Sequence, residues 1–221
     1  MANILYLELR RKFNEPDIDF SLLNRLIKDK NPKTISLAST IQYLDLIPII
    51  KKYLQSKKTK AIIKKGPVYA GHVLGCNSKA FDKDTDLLLL LADGKFHALN
   101  NAIQLNREIY AFSGINLEKI TKEDIERENK KTKAKQIKFL SASHMGILIS
   151  NKEGQNFKQI GELVKKLKNK GKQIYLFESD NINIAELDNF NLPIYINTAC
   201  PGLALDDSRI LNVRDILEFL W

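Results

Sequence analysis

The sequence has little of the chemistry that usually announces a site: two cysteines, three histidines, two methionines and one tryptophan in 221 residues. Two thiols far apart, Cys76 and Cys200, exclude the dense disulfide framework of a small secreted domain. They equally exclude a local Cys-x-x-Cys zinc or redox motif. Long apolar runs are missing too. The longest, Leu87–Ala92, is the size of a strand, far short of the ~20 residues of a membrane span. Met1-Ala2-Asn3-Ile4-Leu5 runs straight into an apolar pattern without a basic leader or cleavage site. A cytoplasmic location without membrane attachment is therefore expected.

What is present is an ordinary balance of 44% hydrophobic and 28% charged residues, enough to bury a core. The formal charge of +9 comes from lysine far more than arginine. Basic proteins attract acidic partners, but no aromatic-interleaved basic stripe accompanies the lysines. Nucleic-acid binding is thus not expected as the primary function, and Lys130–Lys138 reads as a solvated helix face.

Hydrophobic periodicity alternates between strand and helix. Strands are expected at Asn3–Leu9, Lys33–Ala38, Lys60–Lys64, Asp86–Ala92, Glu108–Phe112, Met145–Ser150, Gln173–Phe177 and Leu192–Asn197. Helices are expected from Asp19 or Ser21, over Gln42–Gln55, His97–Leu105, Thr121–Ser141, Phe157–Lys170, Ile182–Asp188 and Val213–Leu220. This order predicts an α/β fold with parallel sheets covered by helices. The long charged helix divides it into two similar small parallel-sheet domains, 1–141 and 142–221, which suggests a structural duplication.

Gly66–Asp82 (GPVYAGHVLGCNSKAFD) breaks the pattern, with three glycines and a proline around Cys76. Cys200 sits in a comparable stretch, PIYINTACPGLALDD. Both are expected in corresponding loops of the two halves, where ligands gather at the carboxyl ends of parallel strands. Thiolates are soft ligands suited to iron–sulfur clusters or zinc. The chemistry alone leaves shared metal ligation open beside two unrelated buried thiols.

GHVLGCNSKAF, DLLLLLADGKFHAL, GILISNKEGQ and NTACPGLALDD occur in the same order and at similar separations in diphthamide-synthesis enzymes. ILYLELR and LASTIQYLD also resemble segments of that family, so the whole chain is similar to its second and third domains. The resemblance implies Rossmann-like repeats from a three-domain architecture around a [4Fe-4S] cluster, with one cysteine ligand per domain. It implies S-adenosylmethionine as cofactor, cleaved between sulfur and the methionine γ-carbon to give a 3-amino-3-carboxypropyl radical. That group is transferred to a histidine of translation elongation factor 2. On this reading Cys76 and Cys200 are metal ligands and an electron donor is needed. The third cysteine comes from a separately encoded N-terminal domain or homologous subunit. The alternative is a non-catalytic accessory subunit of the same pathway. One departure is Gly202, where the family usually has a basic residue after Cys-Pro.

Six further residues are candidates for the site. His97 and Gly94 begin a helix whose backbone N–H groups suit anions, while Gln42 and Gln155 start helices near the same strand ends. Asp206 and Asp207 close the Cys200 loop and could hold an ammonium or orient an imidazole. The catalytic candidates are His97, Asp206 and Asp207; the cofactor-binding set is Gln42, Gly94, His97, Gln155 and Asp207. Each also has a plain reading as a cap or turn residue.

Overall fold

A computed structural model of the chain describes residues 7–152, 154–155 and 157–220. It divides into two compact units, one ending at Glu126 and the other beginning at Arg127. The division falls inside the long charged helix, upstream of the boundary expected near residue 141.

The first unit is a five-stranded sheet in the order β2-β1-β3-β4-β5. Its strands are β1 (Thr34–Ser39), β2 (Lys60–Ile62), β3 (Leu87–Leu91), β4 (Ile109–Phe112) and β5 (Leu117–Ile120). The first four are parallel, and β5 returns antiparallel against β4. Three helices cover the sheet: α1 (Phe20–Lys30), α2 (Leu46–Ser56) and α3 (Lys95–Leu105). The all-leucine β3 shows why its apolar run does not alternate. Leu87, Leu89 and Leu91 pack into one core with α1 and α2, while Leu88 and Leu90 pack into a second core with α3. A central parallel strand must be apolar on both faces.

The second unit is a four-stranded parallel sheet in the order β7-β6-β8-β9. Its strands are β6 (His144–Ser150), β7 (Gln173–Ser179), β8 (Tyr195–Asn197) and β9 (Ile210–Asn212). It is preceded by α4 (Lys122–Ser141) and includes α5 (Ile160–Asn169) and the one-turn α6 (Leu203–Asp206). The first four strands of each unit follow one order: second, first, third, fourth. The repeated α/β topology expected from the sequence is present.

Several expectations need correction. The strand expected at Asn3–Leu9 falls mostly outside the described residues, and Leu7–Leu9 carry no strand. The helix expected over Gln42–Gln55 is broken into a 3-10 turn, Ile41–Tyr43, and α2. Pro48 explains the break. It is tolerated in the first turn of α2, whereas a helix already running at Leu44 would bring that carbonyl against its ring. The segments expected as helices at Ile182–Asp188 and Val213–Leu220 are 3-10 turns, Ile184–Phe190 and Val213–Phe219. In the first of these Asn183 caps Ala185, and Asn191 ends it in the left-handed region. Strands β5 and β9 were not expected.

A candidate site at the carboxyl ends of the first sheet

In the first unit the chain leaves β1 toward β2 on one side and reaches β3 on the other. The crevice beyond the ends of β1 and β3 is thus a topological switch point, where α/β sheets bind ligands. A cleft of about 500 Å³ opens there, lined by Leu9, Arg10, Arg11, Thr40, Gln42, Tyr43, Asp93 and His97. Thr40 follows β1 directly, and its N–H donates to Leu91 O at the end of β3. Gln42 receives the Arg11 N–H on its backbone carbonyl at 2.9 Å. Arg10 pairs with Glu8 at 3.0 Å and with Asp45 at 3.6 Å, and its guanidinium lies over Tyr69. The sequence reading passed over the Arg10-Arg11 pair, although two adjacent arginines after an apolar run were a visible signal.

His97 projects from the first turn of α3, edge-on to Phe96, and burial pushes its pKa down. Gly94 opens this helix at φ +70 with no side-chain cap. Glycine suits that left-handed backbone, and the first-turn N–H groups of α3 have no capping side chain.

Cys76 sits at the tip of a tight turn fixed on that same helix. Leu74 and Asn77 exchange backbone hydrogen bonds at 3.2 and 3.1 Å, leaving Gly75 and Cys76 at the apex. Asn101 Nδ2 donates to Leu74 O at 3.1 Å and to His97 O at 2.8 Å; Gln104 Nε2 donates to Gly75 O at 2.8 Å. A Cβ at Gly75 would come within 3.4 Å of Phe96 and 3.8 Å of His97. The Cys76 thiol itself is exposed and not in a disulfide. Asn101 and Gln104 were missed by the sequence reading. Their signal was amides on the inner side of a helix, with Asn101 fully buried.

Upstream, His72 anchors the loop by pairing with Ser39 at the end of β1. Its imidazole is buried, and neither ring nitrogen finds a hydrogen-bond partner among the described residues. Burial lowers its pKa, against a smaller opposing pull from Glu8. With both His72 and His97 depressed, the unfolded chain binds more protons once pH falls below the ordinary histidine value of about 6.5. Stability should therefore be intact above that pH and decline as pH drops from it toward the folded values. Chemical denaturation between pH 7.5 and pH 5 checks this, and His72→Gln should flatten the slope.

In the second unit Cys200 follows β8 and is half-buried. Buried Asn197 holds its loop. The Asn197 amide nitrogen donates to Cys200 O and to Asn212 Oδ1, each at 2.8 Å, and its Oδ1 accepts from Ala199 N at 3.0 Å. Asn212 in turn reaches Pro201 O at 3.3 Å. Asn197→Ala should lower stability by about 2 kcal/mol through these lost buried bonds and speed alkylation of Cys200. Denaturant titration and a thiol-reaction time course measure the two effects.

The two cysteines are not in corresponding positions, contrary to expectation. Cys76 lies in the connection from β2 to β3, the second and third strands of its sheet; Cys200 lies after β8, the third strand of its own. The topological counterpart of the Cys200 loop is Asp93-Gly94, which follows β3. Gln42 and Gln155 do correspond, each following the first strand of its unit, and Gln155 N donates to Lys152 O in a turn.

The Asp207 carboxylate is engaged by Arg209, with Oδ2 to Nη2 at 2.6 Å, which holds its pKa below the usual carboxylate range. Its carbonyl and that of Ala204 accept from the buried ammonium of Lys135. Asp207 is thus a strut under the loop, and Asp206 is exposed at the end of α6. Among the described residues no three His, Cys, Asp or Glu side chains converge within either unit.

A family model of diphthamide synthesis proteins matches residues 1–212. The 2-(3-amino-3-carboxypropyl)histidine synthase of Pyrococcus horikoshii is 28% identical over 183 residues, covering 79% of this chain and 52% of that protein. Subunit 1 of the corresponding synthase from Gallus gallus is 26% identical over 178 residues, covering 78% of this chain and 43% of that protein. The chain spans about half the length of the curated relatives it matches. A crystal structure of Dph2 from Pyrococcus horikoshii superposes with a TM-score of 0.79 at 25% identity, covering 91% of this chain and 61% of that one. A second Dph2 structure, with a 4Fe-4S cluster, gives 0.78.

Proposed function

Because the chain belongs to the family of diphthamide synthesis proteins, we propose that it is a subunit of a transferase that moves a 3-amino-3-carboxypropyl group from S-adenosylmethionine to a histidine of translation elongation factor 2. Cys76 and Cys200 are two ligands of its [4Fe-4S] cluster. The observation that carries this is the way each thiol is presented. Cys76 is exposed at a turn tip clamped by Asn101 and Gln104, and Cys200 is half-buried on a loop clamped by Asn197. An inert structural cysteine packs into apolar surroundings instead.

The donor set fits such a cluster as two of three thiolates. These 221 residues offer two cysteines; the third ligand is assigned to a domain outside them, leaving one iron open in the way catalytic metals require. When bound, the cluster would supply the electron that breaks the bond between sulfur and the methionine γ-carbon.

The chain's own residues hold and orient. The cleft at the ends of β1 and β3 offers Gln42 and His97 to the cofactor's polar groups, and the uncapped first-turn N–H groups of α3 follow Gly94 at the end of β3. Gln155 takes the matching place after β6. Asp206 is assigned to substrate or cofactor contact at the Cys200 loop, and Asp207 is assigned to bracing it.

The test is anaerobic reconstitution with the partner carrying the third cysteine, an electron donor, S-adenosylmethionine and elongation factor 2. The target histidine peptide should gain the mass of a 3-amino-3-carboxypropyl group. A complex that keeps its cluster but never modifies the factor would make this an accessory subunit instead.

A further inference from the structure

Three ionic side chains line the cleft of about 500 Å³ at the ends of β1 and β3: Arg10, Arg11 and Asp93. Arg10 already holds two carboxylates, Glu8 at 3.0 Å and Asp45 at 3.6 Å. Its neighbour Arg11 has no carboxylate among the described residues; its Nη1 donates to the Tyr43 hydroxyl at 3.5 Å. Asp93, between the end of β3 and Gly94, has neither a hydrogen-bond nor an ion-pair partner among the described residues.

Arg11 is nevertheless held in place. Its backbone N–H donates to Gln42 O at 2.9 Å, and its guanidinium lies over the Phe13 ring at 5.3 Å. The Phe13 ring packs in turn on Tyr43, with centroids 5.3 Å apart. A backbone bond and two aromatic rings thus limit where the guanidinium can go. A placed guanidinium is the favoured partner of a carboxylate, which it binds through two parallel hydrogen bonds. The cleft therefore carries one unpaired cation and one unpaired anion. That is the complement of a ligand bearing a carboxylate and an ammonium on the same carbon.

We propose that Arg11 and Asp93 are a specificity-determining pair for the amino-acid end of S-adenosylmethionine, the cofactor on which this inference rests. Arg11 donates to the α-carboxylate, and Asp93 accepts from the α-ammonium. The adenosine end carries no charge, so the pair selects an α-amino acid rather than any adenosine-bearing molecule. It also favours release of the by-product. Once the 3-amino-3-carboxypropyl group has left, 5′-methylthioadenosine retains neither charged group.

Equilibrium dialysis on the reconstituted complex, anaerobic and without an electron donor, tests this by binding alone. The probes are S-adenosylmethionine and its decarboxylated and deaminated analogues, which all keep the sulfonium. The wild-type complex should bind the cofactor about thirtyfold more tightly than either analogue, the size of a lost charge-assisted contact. Arg11→Gln should erase the preference over the decarboxylated analogue and leave the other, whereas Asp93→Asn should do the reverse. Arg11→Lys keeps the charge without the fork and should retain part of the preference. Both residues are exposed, so unfolding midpoints should match wild type; should Arg11→Gln unfold, the comparison with Arg11→Lys decides. Either variant that leaves its preference at the wild-type value overturns the pair while the cofactor assignment stands. An Asp93→Asn loss falling equally on the deaminated analogue places Asp93 at the sulfonium and overturns its role. A wild-type complex that binds none of the three probes removes the pair and the cofactor assignment together.

Discussion

Cys76→Ala is expected to abolish retention of iron and sulfide by the reconstituted complex and, with it, transfer of the 3-amino-3-carboxypropyl group, a loss of at least about a hundredfold by the effect of removing a metal ligand. Cys200→Ala should do the same. The size of the effect follows from the ligand count. A cluster offered three thiolates keeps one open iron, whereas one offered two has half of its irons without protein ligands. The fold should survive both changes. Cys76 is exposed at a turn whose geometry comes from backbone bonds and from Asn101 and Gln104, and Cys200 is held through its carbonyl rather than its sulfur. Unfolding midpoints of the cluster-free variants should therefore lie close to wild type. Iron analysis, visible absorption and thermal unfolding separate loss of ligation from loss of fold.

Gly146→Ala is expected to cost stability in the range of about 2–4 kcal/mol. Gly146 lies mid-strand in β6, paired with Tyr195 of β8 on one side and Tyr175 of β7 on the other. A Cβ there would sit 2.4 Å from Tyr195 Cδ1 and 2.9 Å from Phe177 Cε2. The tyrosine ring cannot retreat easily, because it is fully buried and its hydroxyl donates to Leu187 O at 2.9 Å. The glycine lets an aromatic ring lie across its strand, a reason for glycine inside a sheet that has nothing to do with φ. Denaturant unfolding should show the loss, and Tyr195→Leu in the same chain should recover part of it by clearing the space. Equal stability of Gly146→Ala and wild type would contradict this packing.

The fold was legible where one face, or both, of an element is buried. The leucines of β3 announced a central strand before any partner was known, and the charged stretch 121–141 announced a long helix. Pro48 was equally visible, yet its effect depends on which turn of the helix it occupies, so the expected helix ran too far upstream.

The two thiols stood out in the sequence, and what holds their loops hardly at all. Asn197 and Asn212 meet only because β8 and β9 are neighbours, and Asn101 reaches the Cys76 loop only because α3 packs beside it. No local pattern carries contacts of that kind. Asp207 shows the opposite error. A carboxylate after a suspected ligand looks free in sequence, while Arg209 two residues on closes it into an ion pair. The expected equivalence of the two cysteine loops failed for a related reason: similar composition around each thiol hid different positions relative to the third strand.

The central claim is that two distant thiols serve one iron–sulfur centre, and differential alkylation tests it most directly. In the cluster-free chain both should react with iodoacetamide, Cys76 faster than half-buried Cys200. After anaerobic reconstitution with the partner, mass spectrometry should find both protected together and both released when the cluster is removed by a chelator and an oxidant. A complex that holds a full complement of iron and sulfide while either cysteine still alkylates at its original rate would contradict the account.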